Sequence, residues 1–270
     1  MRMAVALYRA VFARAIFHGL NKALFRLSAS GLGLLNSDNA DVSGETHLIE
    51  ILLPRLLAGR PSPVMLDVGA NAGSYSRSLS ARFPSATIHA FEPHPRSFER
   101  LAALNLPNVK CHNIALGEAD ARLALYDYAE HVGSEHASLY PEVMSDLRKH
   151  VAVSVDVPVR RLDAVAASEH IDFIDFMKID TEGGEKAVLV GASGLLERGA
   201  VGCIHFEFNE MNIVSRTFLR DFRKLLARYV FFRLLPGGVL KLNDNPFMTE
   251  LFAYQNILAV PQDKAALVSR

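Results

Sequence analysis

Apolar positions along the chain follow two rhythms. Short, nearly continuous apolar runs at 64–69, 87–92, 109–115, 174–180 and 201–208 read as buried strands. Between them, apolar residues recur at helical spacing near 73–83, 95–104, 184–198 and 215–228. Alternation with short links predicts an α/β domain, a parallel sheet covered on both faces. The rhythm changes after residue 228, where "YVFFRLL", Pro236-Gly237-Gly238 and "VLKL" predict two strands joined by a tight turn. A last strand follows in "ELFAYQNILAV", so the C-terminal side of the sheet should be antiparallel.

Residues 117–160 fit neither rhythm. They hold a short strand at 122–128, a polar loop with His131 and His136, and a strand-like "VAVSVDVPV". Placed between the third and fourth strands, this insertion is positioned to cover a ligand crevice. The chain shows no internal repeat and no low-complexity tract. A polar stretch, 36–45, and a helical run, 46–57, lead through Pro61 and Pro63 into the first strand.

The first 37 residues stand apart because they contain no acid. Val5, Phe12, Ile16, Leu20, Ala23 and Leu27 fall mostly on one helical face, with Arg14, His18, Lys22 and Arg26 mostly opposite; Arg9 breaks the pattern. Such a helix packs on its own domain, on a second copy of the chain, or on an anionic membrane surface. A cleaved transit peptide shares the composition, but no clear cleavage signal follows. The expected division is an amphipathic segment at 1–45, a catalytic domain at 46–262 and a short tail at 263–270.

Composition narrows the class. Hydrophobic residues make up 50% and charged residues 21%, as in a globular domain. Lys+Arg and Asp+Glu are 29 each, so no basic excess points to nucleic acid. No apolar run free of charge approaches the ~20 residues that a membrane span needs. Cys111 and Cys203 lie in separate strands and read as buried free thiols. That fits a reducing cytoplasm, with a peripheral place at the inner membrane surface if the first helix binds lipid.

The chemistry starts at "VMLDVGANAGSYS". In an open parallel sheet the loop leaving the first strand lies at the ligand crevice. Asn71 and Ser74 stand where a dinucleotide fingerprint needs glycine, and no Gly-Lys-Ser/Thr forms a phosphate loop. Asp67 decides further. A carboxylate repels a pyrophosphate but attracts a sulfonium or an ammonium, so the turn suits S-adenosylmethionine (SAM). Glu92, ending "TIHAFEP", is placed to accept hydrogen bonds from both ribose hydroxyls of an adenosine.

"MLDVGANAGSYS", "IHAFEPHP", "CHNIALG", "VRRLDAV" and "FMKIDTEGGEKAVLVGASGLL" together resemble the FkbM-type family of SAM-dependent methyltransferases, over about residues 45–260. The resemblance implies a class I (Rossmann-like) methyltransferase fold and methyl transfer, usually to an oxygen on a sugar or natural product. It places Asp67, Gly69, Ala70, Asn71, Gly73, Glu92 and Pro93 at the cofactor, with Asn113, Ile114 and Ala115 flanking the adenine. Gly183-Gly184 replaces the more usual Gly-Ala.

The fourth strand ends in charge. Lys178 interrupts a buried run, and lysine is almost never buried unpaired. Lys178 and Asp180 share strand parity, and Glu182 and Glu185 follow at a helix start, where carboxylates are favoured. On the fifth strand, His205, Glu207 and Asn209 share one face. Lys178, Asp180, Glu182 and Glu207 are therefore the candidate catalytic residues. Either a carboxylate removes the acceptor's hydroxyl proton, or Asp180, Glu207 and Asn209 hold a divalent ion that acidifies it. The few oxygen ligands favour the first. His131, His136 and Ser138 are further candidates near the acceptor.

The expected activity is O-methylation of a small-molecule or glycan hydroxyl. Two other readings stay open: a non-catalytic binding module of the same fold, and methyl transfer to nitrogen. The acid cluster argues against the module. "DTEG" is not the aromatic-flanked polar tetrapeptide of many N-methyltransferases.

Overall fold

The computed structural model describes residues 2–128 and 137–268. Eight strands form one sheet: β1 (Val64–Val68), β2 (Thr87–Phe91), β3 (Val109–His112), β7 (Ile174–Ile179), β8 (Val201–Phe208), β9 (Tyr229–Leu235), β10 (Gly238–Lys241) and β11 (Gln255–Pro261). Their order is β10-β9-β11-β8-β7-β1-β2-β3. The run from β3 to β8 is parallel, and β11, β9 and β10 add antiparallel pairs. The C-terminal strands thus extend the sheet as expected, with the last strand inserted between β8 and the hairpin rather than beyond it.

The two faces follow from strand parity. Leu66, Val68, Met177, Ile179, Ile204 and Phe206 point into one core, beneath the helices Leu162–Ser168, Glu185–Gly191 and Leu219–Leu225. Met65, Phe176 and Cys203 point into the other, which residues 48–57 and the helix Ser74–Arg82 cover. On this second face the side chains change from apolar to charged toward the carboxyl ends of the strands. Asp67, Lys178 and His205 are neighbours in register, and Asp180 and Glu207 follow at the same parity.

The insertion builds its own sheet. β4 (Ala115–Leu116), β6 (Ala152–Arg160) and β5 (Ala121–Tyr128) lie in the order β4-β6-β5. The 109–115 run is therefore two strands, not one. It breaks at Asn113, whose side-chain amide donates to the carbonyls of Glu92 (2.8 Å) and Pro93 (3.1 Å). The 184–198 helix likewise splits at Ala192, and the 215–228 helix shortens to Leu219–Leu225. Asp163 of "VRRLDAV" binds the backbone N–H groups of Gly194 and Leu195, both at 2.9 Å, joining two motifs that are distant in sequence.

The single N-terminal helix becomes two, Arg2–Phe12 and His18–Gly31, bent by 102°. Arg9 stops being an exception, because within the shorter helix it is one i,i+7 step from Arg2. No single helix among the described residues is long and apolar enough to cross a membrane. Close packing begins near Leu32, whose carbonyl accepts from Arg233.

Cys111 and Cys203 are unpaired, on β3 and β8, four strand positions apart and on opposite sides of β1. Cys111 is only half-buried, because β3 is the sheet edge.

Arg233 has no solvent exposure, and its guanidinium donates to Gln255 Oε1 (2.7 Å), Leu32 O (3.1 Å) and Met248 O (3.1 Å). Burial pulls it down to about 10, still charged at neutral pH. It ties the chain before the domain to the C-terminal strands. Arg233→Met strands three acceptors at about 1–3 kcal/mol each. Urea unfolding should therefore show a loss of at least about 3 kcal/mol.

Candidate active site

Gly69 opens the turn after β1 with φ +84, and a Cβ there would lie 1.7 Å from the carbonyl oxygen of Asp180. Only glycine lets the ends of β1 and β7 approach this closely. Asn71 (φ +47) and Gly73 (φ +85) continue the turn in left-handed conformation, and Gly73 leads into the helix Ser74–Arg82. Glu92 then fastens the turn. Its Oε2 accepts from the Asn71 N–H (2.8 Å) and its Oε1 from the His94 N–H (2.7 Å). Burial pushes Glu92 up to about 7, against those two N–H groups, which favour the ionised form.

Two cavities meet at this turn. One, of about 380 Å³, is lined by Phe91, Glu92, Pro93, Ile114 and Ala115, with the insertion sheet as its lid. The other, of about 410 Å³, is lined by Glu45, Tyr75, Lys178 and Glu207. Gly69, Asn71 and Asp180 line both. Toward the insertion, buried His94 Nε2 lies 3.6 Å from Asp127 Oδ2.

Lys178 is the positive centre. Its ammonium donates to Asp180 Oδ2 at 2.9 Å and sits 4.9 Å from the centre of the Tyr75 ring. Burial acts to lower its pKa, but Asp180, Asp67, Glu45 and Glu207 outweigh it and hold it well above the ordinary 10.5. Glu207 moves the other way. Burial first, then Asp180 and Glu182, push it far above the usual carboxylate range. Burial also raises Asp67 and Glu45.

The "Methyltransferase FkbM domain" profile matches residues 67–232, more than half of the chain. The chain belongs to the FkbM methyltransferase family. "Methyltransferase 1" of Beauveria bassiana is 30% identical over 162 residues, covering 53% of this chain and 64% of that protein. "2-O-methyltransferase NoeI" of Sinorhizobium fredii is 25% identical over 193 residues, covering 68% and 79%. "31-O-demethyl-FK506 methyltransferase FkbM" of Streptomyces tacrolimicus is 30% identical over 165 residues, covering 49% and 60%. The match thus spans less than two thirds of the first and third of these relatives. Among solved structures, the plantazolicin methyltransferase BpumL in complex with SAH is similar in fold, at 11% identity, 95% coverage of each chain and TM-score 0.44.

Within this FkbM-family chain the sequence-selected residues divide by cavity. Glu92, Pro93, Ile114, Ala115 and Glu182 line the first cavity, and Gly69, Asn71 and Asp180 line both. Ala70, Lys178 and Glu207 line the second. Asp67, Gly73 and Asn113 line neither. Asp67 lies fully buried beneath the turn, where Oδ2 accepts from the Ser76 hydroxyl at 2.6 Å and Oδ1 has no hydrogen-bond partner. Its expected contact with the crevice is therefore replaced by a charge acting from below.

Glu182, at φ +51, presents its carbonyl to the Ser138 hydroxyl at 2.8 Å. Ser138 is thereby committed to holding this loop. Glu185 accepts from the Thr181 N–H (3.0 Å), the Thr181 hydroxyl (3.1 Å) and the Gly183 N–H (3.0 Å), and so fixes the loop from within. His131 and His136 lie outside the described residues. Sequence reading missed Glu45, Tyr75 and Tyr140. Glu45 was visible as an acid at the start of an apolar helical run, but nothing in the chain said that it faces Lys178.

An acid whose pKa rises on folding binds its proton more tightly in the folded state. The stability contributed by Glu92 is therefore complete below about 4.5 and lost as pH rises through about 7. Glu92→Gln, which copies the protonated form, should make the fall in unfolding free energy over that window shallower by about 3 kcal/mol. Urea titrations at several pH values check it. Gly69→Ala should cost about 1–3 kcal/mol from the left-handed conformation alone, and more from the contact with Asp180, read in the same experiment.

Proposed function

We propose that this chain transfers a methyl group from S-adenosylmethionine to a hydroxyl oxygen of a sugar, glycan precursor or natural product. The observation that carries the reading is the junction at Gly69, Asn71 and Asp180. There a nucleoside-sized cavity opens onto one holding Lys178 and Glu207. The residues fit the cofactor. Phe91 and Ile114 offer apolar walls for adenine, and Glu92 has lone pairs left for ribose hydroxyls. The acids around the turn suit a molecule bearing a sulfonium and an ammonium. When bound, the cofactor supplies a methyl group made electrophilic by its cationic sulfur.

The rest falls to the chain. Lys178 holds Asp180 Oδ2, so Asp180 Oδ1 is the acceptor for the hydroxyl proton. Glu207, protonated, donates a hydrogen bond to the acceptor molecule. This separates two carboxylates that the sequence left equivalent. Burial and repulsion push Glu207 up, while the other carboxylate is held by the Lys178 ammonium. Asn209 turns its amide nitrogen toward Glu207 (3.2 Å) and gives its oxygen to the Met211 N–H (2.9 Å). With Lys178 already supplying positive charge, this supports the reaction without a divalent ion. The names of NoeI and FkbM both specify methylation at oxygen, which supports that acceptor atom. The unpaired, widely separated cysteines support a reducing compartment such as the cytoplasm.

Incubation with methyl-labelled SAM and host glycan extract should yield a labelled hydroxyl ether; label only on amine products would overturn the oxygen assignment. Glu92→Ala should weaken S-adenosylhomocysteine binding by about 1.5–3 kcal/mol, measured by calorimetry. Asp180→Asn should lower kcat by about 10²–10⁴-fold while leaving that affinity within a few fold. Near-normal turnover in Asp180→Asn would remove it as the base.

A further inference from the structure

The helices Arg2–Phe12 and His18–Gly31 expose more apolar surface than a free soluble segment has reason to. Met3 is 87% exposed, Leu7 69%, Ile16 85%, Phe25 67% and Leu27 72%. The first helix buries no residue, and the second buries only Ala29. The pair therefore does not use the body of its own chain as its partner. Contiguous exposed apolar surface of this kind marks an interaction site.

The elbow between the helices is built, not slack. Tyr8 donates its hydroxyl to Asn21 Oδ1 at 2.5 Å, and Asn21 Nδ2 donates to the carbonyl of Phe12 at 2.9 Å. Phe12 packs on Tyr8 and Phe17, with ring centres 4.9 and 5.0 Å away. The bend of 102° is thus fixed by side chains. At about 1.5 Å per residue, neither arm reaches the ~30 Å of a hydrocarbon core.

Each arm is amphipathic in the same sense. Met3, Leu7 and Val11 recur every four residues, with Arg2 and Arg9 set off from them. Leu20, Leu24 and Leu27 form the stripe of the second arm, with His18, Lys22 and Arg26 mostly opposite. The first acid of the chain is Asp38. A second elbow would carry the same acid-free positive charge and offer these cations no counter-charge, whereas an anionic lipid surface complements them.

We propose that the helix pair Arg2–Gly31 docks the protein on an anionic phospholipid bilayer, with its leucine stripes in the interface and its cations among the headgroups. The site of methyl transfer is then held at the membrane surface. This inference does not depend on the reaction proposed above.

Flotation of the full chain with vesicles tests it, using phosphatidylcholine alone and phosphatidylcholine mixed with phosphatidylglycerol. The protein should float with the mixed vesicles, not with the neutral ones, and added salt should release it. Arg9→Gln and Lys22→Gln should each weaken binding about five-fold, and Leu7→Ser with Leu27→Ser should abolish it. These residues are exposed, so unfolding midpoints should not move. Equal binding to both vesicles, no binding to either, or a Leu7→Ser/Leu27→Ser variant that floats normally would overturn the proposal. So would light scattering that shows a lipid-free dimer broken by that variant, which would give the face to a second copy.

Discussion

A charged lysine in the centre of a parallel sheet sets the terms for the rest of the structure. An unpaired ammonium buried at Lys178 would cost several kcal/mol in desolvation, about enough to unfold a marginal domain. The sheet register resolves this by bringing Asp67 alongside it, Asp180 two residues on, and Glu207 from the next strand. Glu45 closes the group from outside the sheet. Four acids against one cation cannot all ionise at low cost. Burial and mutual repulsion therefore push Glu207 far above the usual carboxylate range, and the ion pair with Asp180 becomes the best-satisfied contact. The turn at Gly69 must meet this group at contact distance, which is why no side chain fits there.

Much of the fold was legible because its code is local. A strand buried on both faces is apolar throughout, and the helices between strands are periodic, so β1, β2, β7 and β8 could be read directly. What escaped had non-local causes. The run at 109–115 is apolar enough for one strand, yet Asn113 breaks it by bonding to carbonyls twenty residues earlier in the chain. The N-terminal pattern reads as one helix because the period barely changes across the elbow; Asn21 reaching back to Phe12 makes the bend. Arg233 sat unnoticed in "YVFFRLL", since its three acceptors are the carbonyls of Leu32 and Met248, distant in sequence, and a glutamine on β11.

The site was legible in its residues more than in their duties. Strand parity alone put Lys178, Asp180 and Glu207 on one face. Motif spacing put Glu92 near the turn, but not its hydrogen bond to Asn71, which makes the two motifs one unit. Asp67 was chosen for its charge and is placed where only its charge can act, below the turn and out of the cavities. The upward shift of Glu207 depends on burial and on Asp180, Glu182, Lys178 and Glu45, which come from separate parts of the chain. A linear sequence does not carry that sum.

The central claim is that Lys178 is a buried ammonium kept charged by the acids around it. Nitrogen-15 NMR of lysine-labelled protein tests this directly, with the Lys178 signal assigned by its loss in Lys178→Gln. The account predicts one lysine that stays protonated above pH 10.5, beyond its surface counterparts, for as long as the protein remains folded. A Lys178 signal that loses its proton below 10.5 would mean that burial outweighs the acids. The ion pair with Asp180, and the division of roles built on it, would then be wrong.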